Sequence, residues 1–221
     1  MILPNMSFQE IDKTLRREFI SAKSRIDVVA NKFGSIVKKT RLYPCHRVFT
    51  IKTKEREELH LIFIASKRSD WNHPKLCVFT TFYVKNVPYS ISIDSPDGVA
   101  QIYTPHFFER YRERIAENAD MGIMDLTKRF LIINKDMVWH PNTDAFSASY
   151  QKYERENVPQ MAARVEEGNC FIEQIDDKLL LLKTILSDEM LGEGQSKAFT
   201  MLEDKRKEFL ASTKPRKISY D

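Results

Sequence analysis

An α+β protein is predicted by three observations. A narrow apolar stripe with helical spacing fills the N-terminal segment, a block of alternating β-branched and aromatic runs follows, and helical periodicity then returns ahead of a late apolar hairpin. The resulting architecture is a long N-terminal helix, a central antiparallel sheet, and helices followed by a C-terminal β-hairpin and helix. At 221 residues and 42% hydrophobic, the chain can fill one sizeable core or two small ones.

Ser7 followed by Glu10 is a capping box. Beyond it Phe8, Ile11, Leu15, Phe19, Ala22, Ile26, Val29, Phe33 and Ile36 recur at spacings of three and four. One helix over about residues 7–38 is expected, packed on a sheet; pairing of such helices would allow a homodimer. The period then shortens. RVFTIKT, ELHLIFIA, KLCVFTTFYVK, YSISI and VAQIY are separated by KEREE, KRSDWNHPK, NVP and SPDG. They predict a meander of four or five antiparallel strands over about residues 46–103, with Phe79, Phe82 and Tyr83 packing on the long helix.

Thr104 and Pro105 open a further helix as cap and first residue. After Gly122 a second helical stretch, DLTKRFLIINKDMV, is expected to end before Pro141. Residues 141–160 are polar and read as a long loop or short exposed helix. AARVEEGNCFIEQI and KLLLLKTIL, parted by Asp176 and Asp177, give the hairpin. A closing helix from about Gln195 to Leu210 carries Phe199, Leu202, Phe209 and Leu210 on one side. The organisation is residues 1–100 as helix plus meander, 101–213 as a helix-helix-hairpin-helix region that can share the same compact domain, and 214–221 as a basic tail.

Composition narrows the function classes. A net charge of +4 permits a polyanionic partner without requiring one. Cys45, Cys77 and Cys170 form no CxxC pair, which fits reduced thiols in a cytoplasmic protein. Runs such as LIFIA fall far short of the ~20 residues that span a bilayer, and MILPNMSFQEIDK lacks a basic n-region with a long apolar core. No membrane is expected as a partner. The five histidines show no HxxxH or HExxH spacing, and no GxGxxG, P-loop or GxSxG is present, so no metal or other cofactor is expected. Trp71 sits on a loop, where it could stack on a base or cover a core edge.

The stretch YTPHFFERYRER carries the chemistry. Phe107, Phe108, Tyr111 and Ile115 form the buried face of its helix, and His106, Arg110 and Arg114 follow one another at i, i+4 along a margin. At the positive end of a helix, neutral imidazole is favoured. A neutral base beside two cations suits phosphodiester cleavage: the base takes the 2′-hydroxyl proton and guanidinium groups stabilise the phosphorane. The competing reading is a solvated surface on which Glu109 and Glu113 pair with the arginines.

Thr104-Pro105-His106, Arg110, the helix running past Ile133 to Pro141, and Lys183-Thr184 in LLLLKTIL come in an order that resembles phage and mobile-element nucleases of the barnase, EndoU, colicin and RelE-like group. The resemblance spans about residues 100–191. It implies a curved sheet packed on helices and metal-independent endoribonuclease activity. Carried over, His106 is general base or acid, Arg110 a phosphate ligand, and Thr184 with Lys183 a second set of contacts; Arg114 joins Lys183 in binding substrate. His140 and the strands before residue 100 have no counterpart in that pattern. RNA or another nucleic acid is the partner on this reading. The alternative is a non-catalytic module that binds nucleic acid or a protein partner.

Overall fold

The computed structural model describes residues 2–141 and 160–212. The expected polar segment, apart from its two end residues, and the basic tail lie outside them. Within the described residues the chain is α+β, with five helices and one nine-stranded, mostly antiparallel sheet.

Where one N-terminal helix was expected there are two, α1 (Phe8–Ser21) and α2 (Lys23–Lys39). The break falls at Ala22, whose N–H is shared among the carbonyls of Glu18, Phe19 and Ile20, while the Ser21 hydroxyl donates to the Glu18 carbonyl at 3.0 Å. That side-chain bond competes with the helical ladder and bends the helix. The apolar stripe continues across the break, so Ile11, Leu15, Phe19, Ile26, Phe33 and Val37 all bury against the sheet. The capping box is present: Glu10 N–H donates to Ser7 Oγ at 3.3 Å and Ser7 N–H donates to Glu10 Oε2 at 2.7 Å.

Strands β1 (Cys45–Lys52), β2 (Glu58–Ala65), β3 (Lys75–Val84), β4 (Val87–Ile93) and β5 (Ala100–Tyr103) form an antiparallel meander. Beyond it come α3 (Pro105–Tyr111), a wide turn at Arg112–Ala116, and α4 (Ile123–Ile133). The second of these helices is shorter than expected. Asn134 ends it by turning its side chain to Glu167, accepting that residue's N–H at 2.9 Å, so Val138–Pro141 becomes strand β6. The run AARVEEGNCFIEQI is likewise two strands, β7 (Gln160–Val165) and β8 (Gly168–Asp176), and only β8 forms the expected hairpin with β9 (Leu179–Leu186). Position 168, where β8 begins after the turn from β7, requires glycine: a Cβ there would lie 2.6 Å from the Leu186 carbonyl oxygen.

Strand order is β1-β2-β3-β4-β5-β9-β8-β7-β6. The β5–β9 pair is parallel and joins the two halves of the chain into one sheet. One face carries α1 and α2 over Leu61, Phe63, Val78, Phe82 and Ile91. The other carries α3 and α4 over Ile62, Phe79, Tyr103, Leu180 and Leu182. Phe79 therefore packs away from the N-terminal helices, and Tyr83 is exposed; only Phe82 of the three lies beneath them. Arg16 ties α1 to the sheet's end, donating to the carbonyls of Pro96 at 2.6 Å and Gly98 at 2.9 Å.

The closing helix α5 (Glu193–Ser212) buries Phe199 and Leu202 against Ala162 and Phe171, whereas Phe209 is exposed. So small an apolar seat is supplemented by ions. Arg164 pairs with Asp188 and, at 3.0 Å, with Glu203; Arg206 reaches Glu203 at 3.0 Å and Glu166 at 2.8 Å. The Arg164 hydrogen bond holds the Asp188 carboxyl below its usual range. Burial pushes Glu203 up, but its bonds from Arg206 and Arg164 outweigh this and leave it lowered. Carboxyls lowered in the fold contribute stability that is present above about pH 4 and lost as pH falls through their folded values. The α5 amides should accordingly lose hydrogen-exchange protection on acidification before those of β2 and β3. An Arg164→Met variant should lack this difference, and simultaneous loss of all protection in the native chain would contradict it.

Candidate functional site

Strand β5 stops at Tyr103, opposite Leu182 of β9, so on that side the later part of β9 has no strand partner. The start of α3 takes its place. Thr104 N–H donates to the Leu182 carbonyl at 3.2 Å, and the Thr104 hydroxyl donates to the Lys183 carbonyl at 3.3 Å while accepting from Phe107 N–H at 3.1 Å. Farther along, Arg114 Nη1 donates to the Ile185 carbonyl at 3.0 Å. The helix thus satisfies backbone acceptors that a longer β5 would have met. It is seated by Phe107, Phe108 and Tyr111, all buried.

His106 is exposed, with Nδ1 3.6 Å from Glu109 Oε2. Arg110 Nη1 donates to Glu113 Oε2 at 2.8 Å. Arg114 is bound to β9 as above, and burial, with the charge of Arg110, lowers its pKa. Lys183 Nζ donates to Glu173 Oε2 at 2.7 Å, and Thr184 is half-buried on the same strand. A register shift sets Ile172 opposite Leu182 and Phe171 opposite Thr184, leaving Lys183 as the extra residue of a bulge. Lys183 and Thr184 consequently belong to the sheet face of α1 and α5, while α3 packs its apolar side on the opposite face. Thr104 is the direct link between the two groups.

On the α1 face an open groove of about 620 Å³ runs between the Ser7–Gln9 cap region, Tyr89, Thr104, Glu173 and Lys183. Of the residues picked from sequence, Lys183 lines it. Glu173 is the one that sequence reasoning missed. It is only 6% exposed, opposite Leu181, and its carboxylate forms the groove's wall with Lys183 as counter-ion. Its signal was available: Phe171, Glu173 and Ile175 share one face by strand alternation, which puts a carboxylate in an apolar row.

Two other polar clusters are structural. A 40 Å³ cavity is lined by Cys77, Ser92, Asp94, Tyr103 and Asn134 among others. Burial pushes Asp94, the Cys77 thiol and the Tyr103 hydroxyl upward, so neither the thiol nor the phenol is activated as a nucleophile. The second cluster centres on Glu167, which accepts from Tyr111 Oη at 2.5 Å, Arg129 Nη2 at 2.7 Å and Asn134 Nδ2 at 2.9 Å. It fastens the β7–β8 turn to α3 and α4.

Comparison with protein-family models, curated proteins and solved structures finds no match for the chain. Among the described residues no helix is long and apolar enough to cross a membrane.

Proposed function

We propose that the protein is an endoribonuclease-like enzyme of the kind carried by mobile elements, cleaving RNA by side-chain acid–base chemistry without a metal. The observation that supports this most directly is the pair of hydrogen bonds from Thr104 to the Leu182 and Lys183 carbonyls, which ties the start of α3, two residues before His106, to the backbone of β9 at the Lys183-Thr184 segment. The reading also rests on the order of α3, α4 and the β8–β9 hairpin, the order on which the resemblance of residues 100–191 is based, with both helices on one face of the sheet.

In this reading RNA lies along the groove and over the α3 margin. The exposed His106 imidazole takes the 2′-hydroxyl proton, and the 2′-oxygen attacks the adjacent phosphorus. Arg110, released from Glu113, stabilises the phosphorane and Arg114 holds a neighbouring phosphate, while Lys183 and Thr184, on the other face of β9, supply a second set of contacts to RNA lying farther along the groove. The 5′-oxygen leaves with a proton taken from the protonated His106 or from water, and a 2′,3′-cyclic phosphate remains. DNA, lacking the nucleophile, is not cut.

Labelled RNA incubated with the protein in EDTA should yield cyclic-phosphate ends. His106→Ala should slow cleavage by at least about 100-fold, and Arg110→Ala by a similar factor. RNA left intact by the wild-type protein overturns the proposal. Binding without cleavage would place the chain in the alternative, non-catalytic class.

A further inference from the structure

Positive charge is concentrated far from the groove. Residues 32–47 contain Lys32, Lys38, Lys39, Arg41 and Arg47 and no Asp or Glu, whereas the whole chain has a net charge of only +4. The fold adds to this concentration. Cys45 at the start of β1 pairs with Ala65 at the end of β2, so Lys67 and Arg68, just beyond β2, emerge beside Arg47 and the end of α2. A short 3₁₀ turn, Arg68–Trp71, packs on α2 at Gly34, where a Cβ would lie 2.3 Å from the Trp71 carbonyl oxygen. That close approach places the indole against α2, with Lys38 Nζ 3.4 Å from the ring centroid.

Lys38, Arg41, Arg47, Lys67 and Arg68 are all exposed, and among the described residues none forms an ion pair. The nearby carboxylate is already used: Asp70 accepts from the backbone N–H groups of Ser66 at 2.9 Å and Lys67 at 3.1 Å. Trp71 remains 42% exposed. We infer that this surface is a docking site for single-stranded RNA, in which the cations follow the phosphate backbone and Trp71 stacks on a base. Unpaired cations around an exposed aromatic ring are the physical requirements of such binding. A membrane surface fits less well. Insertion needs a free apolar helix face, and α2 spends its own on the core through Phe33 and Val37.

The inference goes beyond the cleavage proposal and does not depend on it. Strands β1 and β9 are five strand spacings apart in the sheet order, about 24 Å, and the patch lies at the opposite strand ends from Lys183. A site there can capture RNA without taking part in the chemistry.

The test uses a fluorescein-labelled 2′-O-methyl oligouridine of about 12 nucleotides, within the usual span of such sites and impossible to cut through its 2′-position. Fluorescence anisotropy is read across a salt series. Arg41→Glu/Lys67→Glu should weaken binding at least tenfold and reduce the slope of log affinity against log salt by about 1.4. Trp71→Ala should cost about tenfold, with much of it regained in Trp71→Phe. Lys197→Glu/Lys205→Glu on α5, which changes net charge equally, should bind as wild type. Circular dichroism melts confirm that each variant is folded. The inference is overturned if the α5 control loses as much affinity as the patch variant, if the patch variants bind normally, or if the same residues hold phosphatidylserine vesicles while the oligonucleotide is ignored. Loss of RNA cleavage with this binding intact would sink the catalytic proposal alone.

Discussion

Phe130→Ala is expected to destabilise the protein by about 4 kcal/mol. Phe130 is 1% exposed and stands at the centre of a cluster of rings, with centroids 5.1 Å from Phe107, 5.3 Å from Tyr111 and 5.5 Å from Tyr103, each meeting it edge to face. Truncation removes the transfer free energy of the ring, leaves a cavity and cancels three aromatic pairs of about 0.5–1.5 kcal/mol each. The surroundings have little freedom to collapse. Tyr103 is fixed within β5 and Tyr111 is tied to Glu167, so most of the cavity should persist. Urea titration should show a lower midpoint at an unchanged slope. Phe130→Leu should recover more than half of the loss, and a drop below about 1 kcal/mol for Phe130→Ala would mean that the α3–α4 seat is not the packed unit described. Because α3 rests on this cluster, loosening it should also weaken the Thr104 contact with β9 and reduce any cleavage dependent on His106.

The parts of the fold that were legible in the sequence are those set by local pattern. The β1–β5 meander alternates or runs apolar between clear breakers, and the Ser7 and Thr104 caps are side-chain chemistry that acts within three residues. What was not legible depends on distant partners. Asn134 ends α4 because Glu167, 33 residues away, satisfies both ends of its amide, and nothing in DLTKRFLIINKDMV records that. The parallel β5–β9 pairing joins segments 79 positions apart, as in Gln101 with Leu180, by backbone bonds any residue could form. The Ala22 break is hidden for a different reason: the apolar spacing is uninterrupted there, so periodicity predicts one helix.

The candidate site divides along the same line. Strand alternation identifies Glu173 as inward-facing, but its pairing with Lys183 depends on the bulge at Lys183, which puts two successive β9 side chains on one face. The helical margin of His106, Arg110 and Arg114 was readable from i, i+4 spacing, yet its neighbours were not. Arg114 is committed to the Ile185 carbonyl and Arg110 to Glu113, so under the cleavage proposal substrate would have to displace a carboxylate at one position and would find the other already anchored. That makes Arg110 the more responsive of the two arginines in any assay of RNA cleavage.

Glu167→Ala is expected to cost about 3 kcal/mol, the lower end for removing one partner of a buried ion pair, because Arg129 retains 28% side-chain exposure. The carboxylate serves three donors from three places: Tyr111 on α3, Arg129 on α4 and Asn134 at its end. Without it the Tyr111 hydroxyl loses its acceptor inside the fold, and Arg129, whose guanidinium also lies 5.3 Å from the Tyr111 ring centroid, loses its counter-charge. Burial first, then the Glu167 hydrogen bond and charge, hold the Tyr111 hydroxyl well above the usual tyrosine range. Removing the carboxylate should bring it down towards that range, measurable as earlier phenolate absorbance on alkaline titration. Glu167→Gln preserves an acceptor and should cost about half as much. A double-mutant cycle with Tyr111→Phe should give a coupling of at least about 1 kcal/mol. Strict additivity would show that the turn between β7 and β8 is held by packing alone, and α3 would then lose the polar anchor that fixes its far end while Thr104 fixes its beginning.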